Sequence, residues 1–208
     1  KTGKIFKLKI LVKSKVFHFY IKRYTDSIVP NILACISVLF ILNLDLRYIK
    51  KKIINFSIPS GRGDISRIRK FKKVFNLIDE SYNANPLSMK IAIKNMKYYK
   101  RTKNSKKIAF LGDMLELGNK SNNFHKELAT SVNKSDVDKV FVYGKYIKKT
   151  FNLLSQNKKG KVFNNLKEAN DYFDKILNNN DLLMVKGSNA TGLNQFTKNI
   201  KKGQISAV

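Results

Sequence analysis

The 208-residue sequence predicts an α/β fold in which a Rossmann-like, mostly parallel sheet, covered by helices, follows a shorter N-terminal segment of different build. Three observations predict it. From Val74 onward, short apolar runs alternate with stretches of helical periodicity, the pattern of parallel strands joined by helical crossovers. Ser57-Ile58-Pro59-Ser60-Gly61-Arg62-Gly63 is the strongest breaker in the chain and divides it into 1–60 and 61–208. Ahead of that breaker stands one continuous apolar run, 32–42, unlike anything after it.

Two strand-like runs, 5–12 and 16–21, alternate Lys with apolar side chains and predict a hairpin. Nothing in the first fifteen residues has the layout of a signal peptide. The apolar run ILACISVLFIL lies between Asn31 and Asn43 and is well short of the roughly 18 residues a membrane span needs, so it reads as a buried helix. Cys35 lies inside it. As the single cysteine it excludes an intrachain disulfide and predicts a buried, inert thiol. A shorter and more basic helix is expected over 46–56.

Beyond the breaker, 74–78 reads as a strand. Asn85 before Pro86 is a helix start, because Asn caps the first amides and Pro at the first helical position forfeits no hydrogen bond. Met89, Ala92, Ile93 and Met96 follow at spacings of three and four and give that helix one apolar face. Further strands are expected at 107–111, 139–143, 161–163 and 182–185. Helices are expected over 123–132, 146–154 and 166–177, with a last one after the final strand.

Ligands of an open parallel sheet bind beyond the carboxyl ends of its strands. That rule selects three polar loops, 79–85, 112–116 and 186–188, and predicts that they converge on one sheet edge. In the last, Lys186 supplies a point charge, Gly187 permits close backbone approach and Ser188 adds a hydroxyl, a set suited to a carboxylate or phosphate. An ordinary strand-to-helix turn with a solvated lysine fits those three residues equally well. Asp113 and Glu116 either hold an ammonium group or face water near a helix start.

The formal charge of +28 is nearly all lysine, with only six arginines, and is spread along the whole chain. Nucleic-acid sites concentrate charge on one element and mix in arginine and aromatics, so the excess reads as a solvated basic surface. His18 and His125 have no cysteine or second histidine at ligand spacing, and no zinc site is expected.

IDESYNANP at 78–86, LGDMLELG at 111–118 and KGSNATGL at 186–193, in that order within the alternation, resemble the C-terminal region of the Mur ligase family of peptidoglycan synthesis, on its D-alanyl-D-alanine-adding branch. An Asn31-led apolar helix followed by the turn at 59–62 is similar to the end of that family's central ATPase domain, so the resemblance covers nearly the whole chain.

The resemblance implies a cytoplasmic, monomeric enzyme, with no nucleic-acid or membrane partner, that joins D-Ala-D-Ala to UDP-N-acetylmuramoyl-tripeptide through an acyl phosphate, using ATP and Mg2+. It implies that Asn31 helps hold the adenine, that Arg62 reaches the ATP phosphates and that Asp79 and Glu80 include the ribose contact. It implies a D-Ala-D-Ala pocket shaped by Asn83, Asn85, Asp113, Lys186, Gly187 and Ser188. No catalytic or metal-ligating residue is assigned within the chain. A GTxGKT-type phosphate loop is absent from the sequence. The expectation is therefore the C-terminal part of a longer enzyme, with ATP and Mg2+ bound mainly elsewhere and no activity from this chain alone. A basic nucleic-acid-binding module and a Mur-type ligase for another amino acid are the alternatives.

Overall fold

A computed structural model describes residues 5–22, 24 and 28–207. Residues 1–4 of the fifteen read for a signal-peptide layout lie outside them. The chain forms two compact units divided in sequence between Ser57 and Ile58.

In the N-terminal unit, β1 (Phe6–Val12) and β2 (Lys15–Ile21) form the predicted antiparallel hairpin, with Phe6 opposite Ile21 and Val12 opposite Lys15. Helix α1 (Ile28–Ile41) begins three residues before Asn31, which stands exposed in its first turn instead of leading it; Pro30 is tolerated there because first-turn amides have no helical partner. Helix α2 (Leu46–Ile54) is capped by Asp45, whose side chain accepts from the Arg47 amide. Ile10, Phe19, Ile36 and Leu46 make the core of this unit.

The expected burial of α1 is not observed. Ile36 is its one buried residue, while Leu33, Val38, Phe40 and Ile41 face outward, and Cys35 is exposed. A two-stranded sheet and one short helix offer this small unit too little apolar surface to cover more than one face of a fourteen-residue helix. Apolarity all round the helix had mimicked core.

The C-terminal unit is built on a seven-stranded sheet, made of β3 (Asp64–Lys70), β4 (Lys73–Glu80), β5 (Lys107–Gly112), β6 (Lys139–Tyr143), β7 (Lys159–Phe163), β8 (Leu182–Lys186) and β9 (Gln204–Ala207). Its order is β7-β6-β5-β8-β4-β3-β9. The five strands from β7 to β4 are mutually parallel, and β3 pairs antiparallel with both β4 and β9. Phe71 and Lys72, at φ 57° and 54°, form the two-residue turn between β3 and β4, a left-handed geometry that matches strand twist. Neither β3 nor β9 was predicted. β3 carries Arg67, Arg69 and Lys70 directly after the breaker, and β9 has only four residues.

Helices α3 (Pro86–Asn95), α4 (Ser121–Asn133) and α5 (Ile147–Asn152) contribute to one core, with Met89, Ile93, Leu128, Val132 and Ile147 set against Ala109, Leu111 and Val142. Helices α6 (Leu166–Ile176) and α7 (Leu193–Lys201) contribute to the other, an aromatic layer in which the Phe110 ring lies 5.2 to 5.6 Å from those of Phe163, Phe173 and Phe196. Each buried phenylalanine contributes about 2 to 3 kcal/mol of transfer free energy. These two layers fix the level at which the central strands end.

Candidate functional site

Glu80 closes β4, Lys186 closes β8 and Gly112 closes β5, and the register sets Lys186 level with both Glu80 and Leu111. Three neighbouring parallel strands therefore release their chains at one height. The loops that follow meet.

Lys186 makes the first junction. It is only 2% exposed, and its ammonium donates to the Asn83 carbonyl at 2.9 Å and to Glu80 Oε2 at 3.2 Å. Burial pushes its pKa below the ordinary lysine value; the charge and hydrogen bond of Glu80 oppose that shift, and the Arg62 charge adds to it. Ser188 makes the second junction: its amide donates to the Asp113 carbonyl at 3.0 Å, and its Oγ accepts from the Leu115 amide at 2.9 Å and donates to the Ala84 carbonyl at 3.4 Å. Between them Gly187 is packed so closely that a Cβ would stand 2.8 Å from Leu193 Cδ1 and 3.1 Å from Gly112 Cα. A side chain there would crowd Leu193 and the Gly112 backbone.

Two of the predicted site residues bond their carboxylates within the fold. Asp113 was expected to offer an acid to the pocket, but its carboxylate accepts the amides of Lys145, Tyr146 and Ile147 at 2.9, 2.9 and 2.7 Å and so caps the start of α5. Asp79 was expected to face the nucleotide, but it is 3% exposed. Its Oδ1 accepts the Ser81 amide and hydroxyl, and its Oδ2 accepts Lys201 at 2.6 Å. Strand-end carboxylates look alike in sequence whether they serve a ligand or a neighbouring amide.

Asn85 caps α3: its side chain accepts the Ser88 amide at 2.8 Å while Ser88 Oγ accepts the Asn85 amide at 3.0 Å. Asn83, exposed, folds its amide oxygen onto the Ala84 N–H at 2.7 Å. Glu80 keeps a quarter of its side chain open and lies over Gly63, where a Cβ would stand 2.7 Å from Oε1. Arg62 is exposed, with its guanidinium 4.3 Å from the centre of the Tyr82 ring. The rim of the C-terminal unit thus gathers Arg62, Glu80, Asn83, Asn85, Lys186 and Ser188. Asn31 stands in the N-terminal unit.

Sequence reasoning gave no role to Tyr82 or Lys201, and of His125 it said only that no zinc site is expected. Tyr82 lay inside IDESYNANP and could have been found from its place beside the acids. Lys201 is 122 positions from Asp79 and carries no local signal. His125 is fully buried; its Nε2 accepts the Met114 amide at 3.0 Å, which leaves Nδ1 as the donor to the Ser121 carbonyl at 2.7 Å. Burial lowers its pKa, against the Ser121 bond and the Asp113 charge.

A rim of one guanidinium, one accessible carboxylate and two side-chain amides, with the buried Lys186 ammonium bonded to that carboxylate, suits a ligand with both charges or with phosphate. Residues 66–189, more than half of the chain, match the Mur ligase, glutamate ligase domain family. The chain belongs to the Mur ligase family. Among similar members, the UDP-N-acetylmuramoyl-tripeptide–D-alanyl-D-alanine ligase of Rickettsia prowazekii (strain Madrid E) is 27% identical over 94% of this chain and 44% of its own length. The Bacillus subtilis (strain 168) ligase of the same name is 32% identical over 63% of this chain and 29% of its own. This Mur ligase chain therefore spans less than half the length of those relatives.

Solved Mur ligases share the fold. MurF from Thermotoga maritima in complex with ADP superposes with a TM-score of 0.75 at 19% identity, over 95% of this chain and 43% of that one. MurF from Acinetobacter baumannii gives 0.76 at 20% identity, over 94% and 42%. Among the described residues no helix is long and apolar enough to cross a membrane.

Proposed function

We propose that this chain is the C-terminal part of a cytoplasmic, ATP-dependent ligase that joins D-Ala-D-Ala to UDP-N-acetylmuramoyl-tripeptide. Residues 1–60 then end a central ATP-binding domain and 61–208 form the ligase's C-terminal domain. The observation that carries this reading is the bonding of Lys186 to Glu80 and Asn83 beside that of Ser188 to the 112–116 loop, which makes one rim of three motif loops. The names of the curated relatives support the choice of substrates.

In such a ligation the peptide carboxylate attacks the γ-phosphorus of ATP and ADP leaves; the D-Ala-D-Ala amine then attacks the acyl carbon, phosphate leaves and the nitrogen gives up a proton. Arg62 is the group here that suits a phosphate, since it is exposed and held over Tyr82. Glu80 takes the ribose role that Asp79, saturated and buried, does not. Asn83 and Asn85 read the dipeptide amide at the rim, and Lys186, Gly187, Ser188 and Asp113 hold its shape. Asn31 keeps the adenine role that the family resemblance gives it. Among the described residues no group of three His, Cys, Asp or Glu side chains could hold a metal ion.

Incubation of the chain with ATP, Mg2+, UDP-N-acetylmuramoyl-tripeptide and D-Ala-D-Ala is expected to release no phosphate, because no phosphate loop occurs in the sequence. In the same mixture D-Ala-D-Ala slows amide exchange at Asn83, Asn85 and Ser188. Phosphate release at an enzymatic rate, or no protection at those amides, contradicts the reading.

A further inference from the structure

The turn that presents Arg62 is tied down by a residue from the far end of the fold. Lys201, near the end of α7, donates to Ser60 Oγ at 2.9 Å, to Asp64 Oδ2 at 2.6 Å and to Asp79 Oδ2 at 2.6 Å, which uses all three ammonium protons. Each acceptor bears on the same turn. Asp64 Oδ1 accepts the Gly61 amide at 2.7 Å, and the Asp79 carbonyl accepts the Gly63 amide, also at 2.7 Å. The Tyr82 amide donates to the Gly61 carbonyl at 3.1 Å. Ser81, bonded to Asp79 Oδ1, also meets Thr197 Oγ1 of α7 at 3.0 Å.

Gly61 and Gly63 sit at φ 79° and 96° on either side of Arg62. Glycines in that region have many alternative conformations, so the turn's shape depends on external bonds. Without the ammonium, Asp64 and Asp79, which lie opposite each other in the β3–β4 register, would be two carboxylates facing without a cation between them.

We propose that Lys201 is a positioning residue for Arg62: by holding Ser60, Asp64 and Asp79 together it fixes the turn that aims the guanidinium at the rim. This rests on the reading of Arg62 as the phosphate-facing group. Lys201 itself touches no ligand. It acts through the turn, and its effect on anion binding disappears when Arg62 is absent.

The test combines Lys201→Met, Lys201→Arg, Arg62→Ala and Asp64→Asn in the full 208-residue chain. Amide exchange and the Arg62 Nε–H resonance are followed by NMR, without ligand and during titration with ATP. Lys201→Met should speed exchange at Gly61 and Gly63 by about tenfold or more, the effect of losing hydrogen bonds to a charged group, while β5 and β8 stay protected. Lys201→Arg should recover part of that protection. ATP should move the Arg62 resonance, several-fold less tightly in Lys201→Met, and the double variant should bind no more weakly than Arg62→Ala alone. Unchanged exchange at Gly61 and Gly63, or equal ATP affinity in wild type and Lys201→Met, overturns the proposal. Should Lys201→Met fail to fold, Asp64→Asn decides at Gly63, whose amide is accepted by the Asp79 carbonyl and not by Asp64: faster exchange there supports the proposal and unchanged exchange overturns it. If ATP moves nothing in the wild type, the phosphate role of Arg62 fails, and the exchange data alone decide whether Lys201 holds the turn.

Discussion

The Lys186 ammonium donates to the main-chain carbonyl of Asn83 at 2.9 Å, across 103 residues of sequence, and so fastens the loop after β8 to the loop after β4. The bond is nearly dry, and the same nitrogen faces Glu80. An exposed lysine would meet a ligand as a mobile charge. This one is held as part of a fixed wall.

Replacing Lys186 by Met should therefore act on stability as well as on binding. It leaves the Asn83 carbonyl and a three-quarters-buried carboxylate without their donor, for a loss of about 2 kcal/mol. Chemical denaturation of the wild type and variant measures it. A loss below half a kilocalorie per mole, about the level of a surface change, would show that the lysine is not braced as described.

Asp113→Ala should destabilise the chain by about 2 kcal/mol, because three amides at the start of α5 lose a charged acceptor. Asp113→Asn should lose less, since one amide oxygen still accepts. Amide exchange at Lys145, Tyr146 and Ile147 should rise in both. If instead stability holds and only dipeptide affinity falls, Asp113 is a ligand group after all.

His125 gives the fold a pH dependence. Its folded pKa lies below the ordinary histidine value of about 6.5, with burial as the main cause. Its stabilising contribution is complete above the unfolded pKa. As pH falls below that value the unfolded chain takes up a proton that the folded chain refuses, and stability declines until the folded pKa is reached. Denaturation midpoints measured from pH 7.5 down to 5.5 should fall in the wild type and flatten in His125→Gln. Equal slopes in both would place the dependence elsewhere.

Gly187→Ala should cost about 1 to 3 kcal/mol through the clash with Leu193 and Gly112. Thermal unfolding measures it. Pairing it with Leu193→Val should recover part of the loss, because the nearest contact is the Leu193 Cδ1 methyl.

Much of the central sheet was legible because its signals are local. Asn85-Pro86 marked the start of α3, and strand β6 was read at 139–143, where it is found. The convergence of three loops followed from a rule about strand ends. What escaped needed long-range information. β3 was hidden because its arginines and lysine look like surface, and the four-residue β9 pairs only with β3. Asp79 and Asp113 were recognisable as strand-end acids, but whether such an acid faces a ligand depends on partners such as Lys201 and Ile147 that sequence does not set beside it. Cys35 and α1 failed through composition: apolar residues in a small unit exceed what its two other elements cover.

The central claim is tested most directly by titrating the chain with D-Ala-D-Ala and following the backbone amides of Asn83, Asn85 and Ser188 by NMR, with L-Ala-L-Ala as the control. Saturable shifts at those three amides with the D,D dipeptide, absent or far weaker with the L,L form and lost in Lys186→Met, are the predicted result. No saturable shift at any of them, or equal shifts with both dipeptides, would contradict the account.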